Sequence, residues 1–379
     1  MELLHKGFDA IDIAYPAHLP EILIAKLSNA KDLALASNAP TQVLLNGLPF
    51  NVALTGARGG YAFRCDTGPL GEVWFFKLPN KRDPWGIRVS VAAVQVALRG
   101  LHGVRDHLEN KLAALGVPLL PGTESIARID FALDFLAPNF VLSTDQFVMS
   151  QRFARMRHGD LLTYKEGGQT GRTTSVTIGK NPGRQVIVYD KRAEILAKKK
   201  LYWPEIWNTK RRRAGLPELD MSDADTSRVW RVELRAYKRH LKDDWGVSSW
   251  GQLQQKLPTI FGTLLEDVRY CQPNGDSNRS RWPMHRLWNR VAQELRDDLS
   301  NLQSFASEER ILELQRAELM QMIRSQIAGC LLTLLALNRV DPKNLSEFLA
   351  QESRALSDRF REHPEKTQAK LAKAMARYP

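Results

Sequence analysis

Tyr189 closes an apolar run, Val186-Ile187-Val188-Tyr189-Asp190-Lys191-Arg192. An acid-bearing segment lies on each side of it in the sequence: Arg128-Ile129-Asp130-Phe131-Ala132-Leu133-Asp134-Phe135 before, and Trp230-Arg231-Val232-Glu233-Leu234-Arg235 after. A phenol, a basic neighbour and converging carboxylates can open a phosphodiester: the phenol attacks phosphorus, the cation holds the phosphate, and a metal bound by the acids stabilises the charge that develops. A tyrosine hydroxyl, with an ordinary pKa of about 10, is a poor nucleophile at neutral pH unless a positive charge or a metal favours its anion. Lys191, two residues on, is placed by strand alternation on the same face and supplies such a charge. Tyr189 also fits an ordinary strand aromatic.

Side chains alternate along a strand, so Arg128, Asp130, Ala132 and Asp134 share one face, while Ile129, Phe131, Leu133 and Phe135 share the other. The later segment divides the same way, with Arg231, Glu233, Arg235 and Tyr237 opposite Trp230, Val232, Leu234 and Ala236. Two strands with an apolar back and an ionic front can meet in one sheet. Asp130 beside Glu233 then makes a site for a hard divalent cation, Mg²⁺ or Mn²⁺, with Asp134 nearer the strand end as a third ligand. The alternative is that each acid pairs with a neighbouring arginine.

The elements around these segments follow from pattern. A strand over Phe8 to Tyr15, a helix over about 18–36, strand-like runs at 41–55, 60–65 and 72–76, a strand over 87–98 and a helix over about 102–115 form a first half. A strand at Ile126 to Phe135, a helix near Thr144 to Arg155, strands at 173–178 and 184–190, and one at Val229 to Tyr237 repeat the order, which suggests an internal duplication. Ile11-Asp12-Ile13-Ala14 can be laid on Ile129-Asp130-Phe131-Ala132, and Arg88-Val89-Ser90-Val91 on Arg231-Val232-Glu233-Leu234. On that alignment Ser90 stands where Glu233 does, and the metal-binding pair is complete in the second half alone. Beyond Trp250 the period is helical. The expected fold is α+β: two related halves with antiparallel sheets flanked by helices, then a helical C-terminal region. The expected divisions are residues 1–120, a non-catalytic half, 121–273, the catalytic half, and 274–379.

A chain of 379 residues with 43% hydrophobic content is long enough for large cores, and its 54 Lys and Arg against 42 Asp and Glu give a formal charge of +12. That excess favours a polyanionic partner, nucleic acid first. It is concentrated after Tyr189, at Lys198, Lys199, Lys200, Lys210, Arg211, Arg212 and Arg213, which are candidates for DNA backbone contact or a solvated face. Three well-separated cysteines suggest neither a disulfide framework nor a Cys-x-x-Cys metal site. The N-terminus lacks signal-peptide features, and the apolar run Ile327 to Leu337 is about half of the ~20 residues a bilayer crossing needs. No membrane span and a cytoplasmic location are expected.

The ordered set Phe8-Asp9-Ala10, Arg128 to Phe135, Thr177-Ile178-Gly179-Lys180, Val188-Tyr189-Asp190-Lys191 and Trp230-Arg231-Val232-Glu233 resembles the rolling-circle replication initiators of the trans-acting replication initiation factor family, over roughly residues 8–250. Conjugative-element relaxases share the pattern. The resemblance implies a metal-dependent nickase and joinase that cuts one strand at a replication origin, leaving a 5′-phosphotyrosine and a free 3′-hydroxyl. It implies Tyr189 as nucleophile, Asp130, Glu233 and Asp134 as ligands of Mg²⁺ or Mn²⁺, and Lys191 with Arg192 on the scissile phosphate. The implied partners are origin DNA, double-stranded with a locally single-stranded nick site, and a second copy of the chain.

The other large initiator class uses a His-x-His metal pair, which is absent among the eight histidines. No GxxxxGK[ST] loop occurs, so strand separation calls for a separate host helicase. Trp203, Trp207, Trp245, Trp250, Trp282 and Trp288 lie among basic residues and either stack on bases or fill cores. Two further readings stand beside origin nicking: a conjugative relaxase using the same chemistry, and a DNA-binding protein that has lost cleavage.

Overall fold

Long alternating segments form the two central strands, β1 (Glu2–Tyr15) and β7 (Ser125–Leu136), which lie antiparallel and side by side. The computed structural model describes residues 1–150, 153, 164–169 and 171–377. On one side of β1 follow β6 (Ile87–Ala92), β5 (Val73–Phe76), β4 (Phe63–Asp66), β3 (Leu48–Val52) and β2 (Thr41–Leu45). On the other side of β7 follow β12 (Val229–Tyr237), β11 (Arg184–Asp190), β10 (Arg172–Gly179) and β9 (Tyr164–Gln169), completing one 11-stranded antiparallel sheet. The expected division near residue 120 therefore falls inside a continuous sheet. A separate ribbon joins β8 (Phe147–Met149) to β13 (Val268–Tyr270).

The register across the centre has a local two-fold character. Asp9 is the extra residue between the pairs Phe8–Phe131 and Ala10–Asp130, and Ala127 is the extra residue between Asp12–Arg128 and Ile13–Ile126. These two bulges flank the Ile11–Ile129 pair symmetrically, so an axis there carries Asp9 onto Ala127 and Asp12 onto Asp130. Moving outward, Ala14 pairs with Arg88 on β6, and its counterpart Ala132 pairs with Glu233 on β12. Arg88, not Ser90, thus occupies the place equivalent to Glu233. The alignment from sequence was two residues out of step, a slide that keeps every side chain on its own face and so leaves the alternation pattern unchanged.

The back of the sheet is the core. Ile11, Ile13, Val89, Phe131, Leu133, Val232 and Leu234 are buried there beneath α1 (Glu21–Ser37) and α2 (Ala93–Ala114). The stretch expected as strand to residue 98 leaves the sheet after Ala92 as a helix, which buries Val94, Val96 and Ala97 before Gly100, and Leu101 and Leu108 after it. An unbroken apolar run does not by itself distinguish a strand from a buried helix. Gly100, at φ 65°, breaks the helix where an added Cβ would lie 2.9 Å from the Leu302 carbonyl oxygen.

On the front, β11 runs into α3 (Lys191–Lys198), followed by α4 (Tyr202–Arg213) and the short α5 (Ala224–Ser227). After β12 come α6 (Lys238–Trp245), α7 (Trp250–Asp267), started by a Ser249–Gln252 capping box, and α8 (Arg286–Glu294). Helices α7 and α8 bury Trp250, Phe261, Leu287 and Trp288 in the same core, with Phe131 and Phe261 centroids 5.0 Å apart. The compact unit consequently runs Met1–Glu308, and the expected break at 273/274 is a surface turn within it. The helix expected near Thr144 to Arg155 begins as a single 3₁₀ turn, Thr144–Gln146, before β8; Gln151, Arg152, Ala154 and Arg155 lie outside the described residues.

The second unit, Glu309–Pro379, is built from α9 (Glu308–Leu337), α10 (Leu345–Glu362) and α11 (Pro364–Arg377). The α+β fold with a helical C-terminal region is the observed architecture. Helix α9 contains an 18-residue window of mean hydropathy 1.4 and is long and apolar enough to cross a bilayer, which the shorter run Ile327 to Leu337 did not reveal. A helix that packs on another protein has the same length and composition.

Candidate active site

Three paired strands place the front-face residues. Glu233 pairs with Ala132 on β7 and with Ile187 on β11, which makes Asp130 and Tyr189 its diagonal neighbours on either side. The Tyr189 hydroxyl donates to Glu233 Oε2 at 3.1 Å. Strand β11 ends at Asp190, whose carboxylate caps α3 by accepting from the Ala193 N–H at 2.9 Å. Lys191 is therefore the first residue of a helix and not a continuation of the strand, yet its Nζ turns back to within 3.5 Å of the Tyr189 hydroxyl. It also lies 4.9 Å from the Trp203 ring centroid and 2.7 Å from Glu194, one helical turn on.

Arg192 points elsewhere, donating to Ser227 Oγ at 3.0 Å and to the Met221 carbonyl at 2.6 Å. It ties α3 to the segment before β12 and does not reach the tyrosine, because the strand-to-helix turn rotates it away. Tyr189, Lys191, Glu233 and Arg235, with Asp9, Ser175, Lys198 and Lys200, line a cavity of about 470 Å³.

The three acids expected to form a metal centre are distributed differently. Asp130 is fully buried and accepts from Arg128 Nε at 2.9 and 3.1 Å, with Arg235 Nε 3.4 Å away. Asp134 is fully buried beneath α4, where Arg231 Nε and Nη2 reach it at 2.6 and 2.8 Å and Trp207 Nε1 donates at 2.9 Å. Glu233 accepts from Arg235 Nε at 2.5 Å through the oxygen not used by Tyr189. Each acid thus has an arginine partner, and among the described residues no group of three His, Cys, Asp or Glu side chains could hold a metal ion. The expected triad does not fit a metal as arranged. Sequence alternation found the correct face but not which charges cancel within it.

Asp9, the bulge residue of β1, was not assigned a role from sequence. Its carboxylate pairs with Arg231, so the buried guanidinium bridges Asp9 and Asp134. Burial opposes the charge of all three, but their mutual attraction prevails: Arg231 is held well above its ordinary pKa, and Asp9 and Asp134 below theirs. Burial pushes Tyr189 well above 10, with Arg231 opposing and Glu233 reinforcing the shift. Burial, then Arg231, pulls Lys191 down to about 8. Burial raises Asp130 to about 7, against the pull of Arg128. Glu194, also missed from sequence, gathers Lys191, Lys198 and Lys200 at 2.7, 3.0 and 3.1 Å.

The basic run does not act as one surface. Lys198 and Lys200 line the cavity, Lys199 is the exposed cap that ends α3, and Lys210, Arg212 and Arg213 are on the α4 end, with Arg212 paired to Glu205 and Glu218 and Arg213 over the Phe305 ring at 4.0 Å. Arg211 is buried, donating to the Pro217 carbonyl at 2.6 Å and pairing with Glu2. Trp203, Trp207, Trp250 and Trp288 are core residues.

No protein-family model matches the chain. No curated protein matches it either. The structure is similar to a solved structure described as a rolling circle replication initiator protein from Geobacillus stearothermophilus, with a TM-score of 0.42 and 15% identity, over 79% of this chain and 99% of that one.

Proposed function

We propose that the chain cuts and rejoins one DNA strand at an origin through a covalent link to Tyr189, starting rolling-circle replication. The observation that carries this reading is the pair of contacts on one phenol oxygen: Glu233 accepts its proton at 3.1 Å while Lys191 Nζ approaches it at 3.5 Å. In cleavage Glu233 takes the phenol proton, the Tyr189 oxygen bonds to phosphorus, and the bond from phosphorus to the 3′-oxygen breaks. The leaving oxygen gains a proton from Lys191 or solvent, giving a 3′-hydroxyl and a 5′-phosphotyrosine. Attack by a 3′-hydroxyl reverses these steps and joins the strand. Lys191 stabilises the developing phenolate, and Arg235 and Lys200 supply positive charge for the phosphate. Origin choice and a separate helicase come from the resemblance noted in the sequence.

Mg²⁺ or Mn²⁺, expected from that resemblance, has no three-acid cage among the described residues, and no step is assigned to it. Nicking with chelator and with each metal added back measures the requirement. The proposal itself is tested by incubating supercoiled plasmid carrying the cognate origin with wild type and Tyr189→Phe. Wild type should yield nicked DNA bound to protein, and the variant at least about 10³-fold less; equal nicking would remove Tyr189 from the chemistry.

A further inference from the structure

The two-fold register identifies what stands in the first half where the tyrosine site stands in the second. Glu233 is matched by Arg88, and its β11 neighbour Ile187 by Phe75. One pair further along, Tyr189 faces Arg231, and the matching contact is Lys77, whose N–H donates to the Gly86 carbonyl at 2.8 Å. The nucleophile and its proton acceptor are thus replaced by two cations.

Their surroundings fit an anion. The Arg88 guanidinium lies 4.2 Å from the Phe75 ring centroid and 5.5 Å from that of Tyr61, and Lys77 Nζ lies 4.8 Å from Tyr61. Arg88 has no carboxylate partner among the described residues, and its buried Nε has no hydrogen-bond partner there. Glu233, by contrast, has both oxygens engaged. Lys77 pairs with Asp83 at 2.7 Å, an acid on the open loop that also carries the exposed Lys81 and Arg82. Aromatic rings hold a guanidinium in place without neutralising it, leaving its charge for a phosphate.

We propose that Lys77 and Arg88 form a second, non-cleaving site that grips a backbone phosphate of the same DNA strand whose scissile phosphate meets Tyr189. The identity of the anion as DNA rests on the proposed function. The two sites share the front of the sheet, with Tyr189 four strand spacings from Arg88 and five from Lys77, or ~19–24 Å across it. This separation lets one hold the strand while the other opens and closes it.

The test uses the full chain carrying Tyr189→Phe, so that cleavage does not intervene, and follows a labelled single-stranded oligonucleotide by fluorescence anisotropy over a salt series. Adding Lys77→Gln and Arg88→Gln should weaken binding about ten-fold at physiological salt and lower the slope of log affinity against log salt by about 1–2. Lys77→Arg with Arg88→Lys should retain both. If the neutral double variant melts early, Lys77→Gln alone, which leaves Arg88 on Phe75, should lower the slope by about 1. Unchanged affinity and slope in the neutral variants overturn the second site while leaving Tyr189 cleavage standing. Failure of Tyr189→Phe to bind any DNA overturns both readings.

Discussion

Burial keeps the Tyr189 phenol protonated well past neutral pH, so the proposed cleavage begins with proton transfer to Glu233 and not from a standing phenolate. Lys191 then determines the alkaline limit. Burial and Arg231 bring its ammonium down from 10.5 to about 8, so its charge is present below that pH and lost as pH rises through it. The rate of adduct formation should therefore fall above about pH 8. Lys191→Arg keeps its charge there, and its profile should stay level to higher pH. Single-turnover rates across the pH range measure this, and a fall unaltered in Lys191→Arg would belong to another group. The arginine pairing of Asp130, Asp134 and Glu233 was one of two possibilities left by the sequence. Spacing gives the face of a side chain, whereas which opposite charge reaches it depends on neighbouring strands and on α4 closing over Asp134.

At the scale of elements, strand ends and register decide what each residue can do. The turn from β11 into α3 sends Lys191 toward the tyrosine and Arg192 to Ser227 and Met221. Arg192→Ala should cost stability, about 1–3 kcal/mol for the lost half-buried hydrogen bonds, and leave adduct formation per folded molecule nearly unchanged. Denaturant unfolding with the adduct assay on the same samples measures both; loss of adduct at full folding would return Arg192 to the phosphate. The strands carrying Tyr189, Asp130 and Glu233 were legible because period-two alternation is a strong local signal. The strand end at Asp190 was legible too, but its capping role was not: alternation carried on to Lys191 misses the turn made when the Ala193 N–H finds the carboxylate. Ser90 could be taken for the counterpart of Glu233 because slides of two residues preserve the faces, and only the bulges at Asp9 and Ala127 fix the offset.

At the scale of the molecule, one continuous sheet turns a buried apolar face to its helices and an ionic face to the front, where the Tyr189 cavity and the Lys77–Arg88 cluster lie on opposite sides of the Ile11–Ile129 pair. Joining of the two halves was hidden from sequence because the β1–β7 pairing is made by residues more than a hundred positions apart. Helix α9 shows the same limit: Ile323, Ile327, Leu332 and Leu337 are exposed, and pattern alone does not identify what a long apolar helix contacts. The central claim concerns one bond, and it is tested most directly by incubating the protein with an oligonucleotide bearing the nick site, digesting both components and weighing the peptides. A nucleotide mass on the peptide containing Tyr189, absent in Tyr189→Phe, is the predicted result. Cleaved DNA with the mass on a peptide lacking Tyr189, or with no covalent peptide at all, would contradict it.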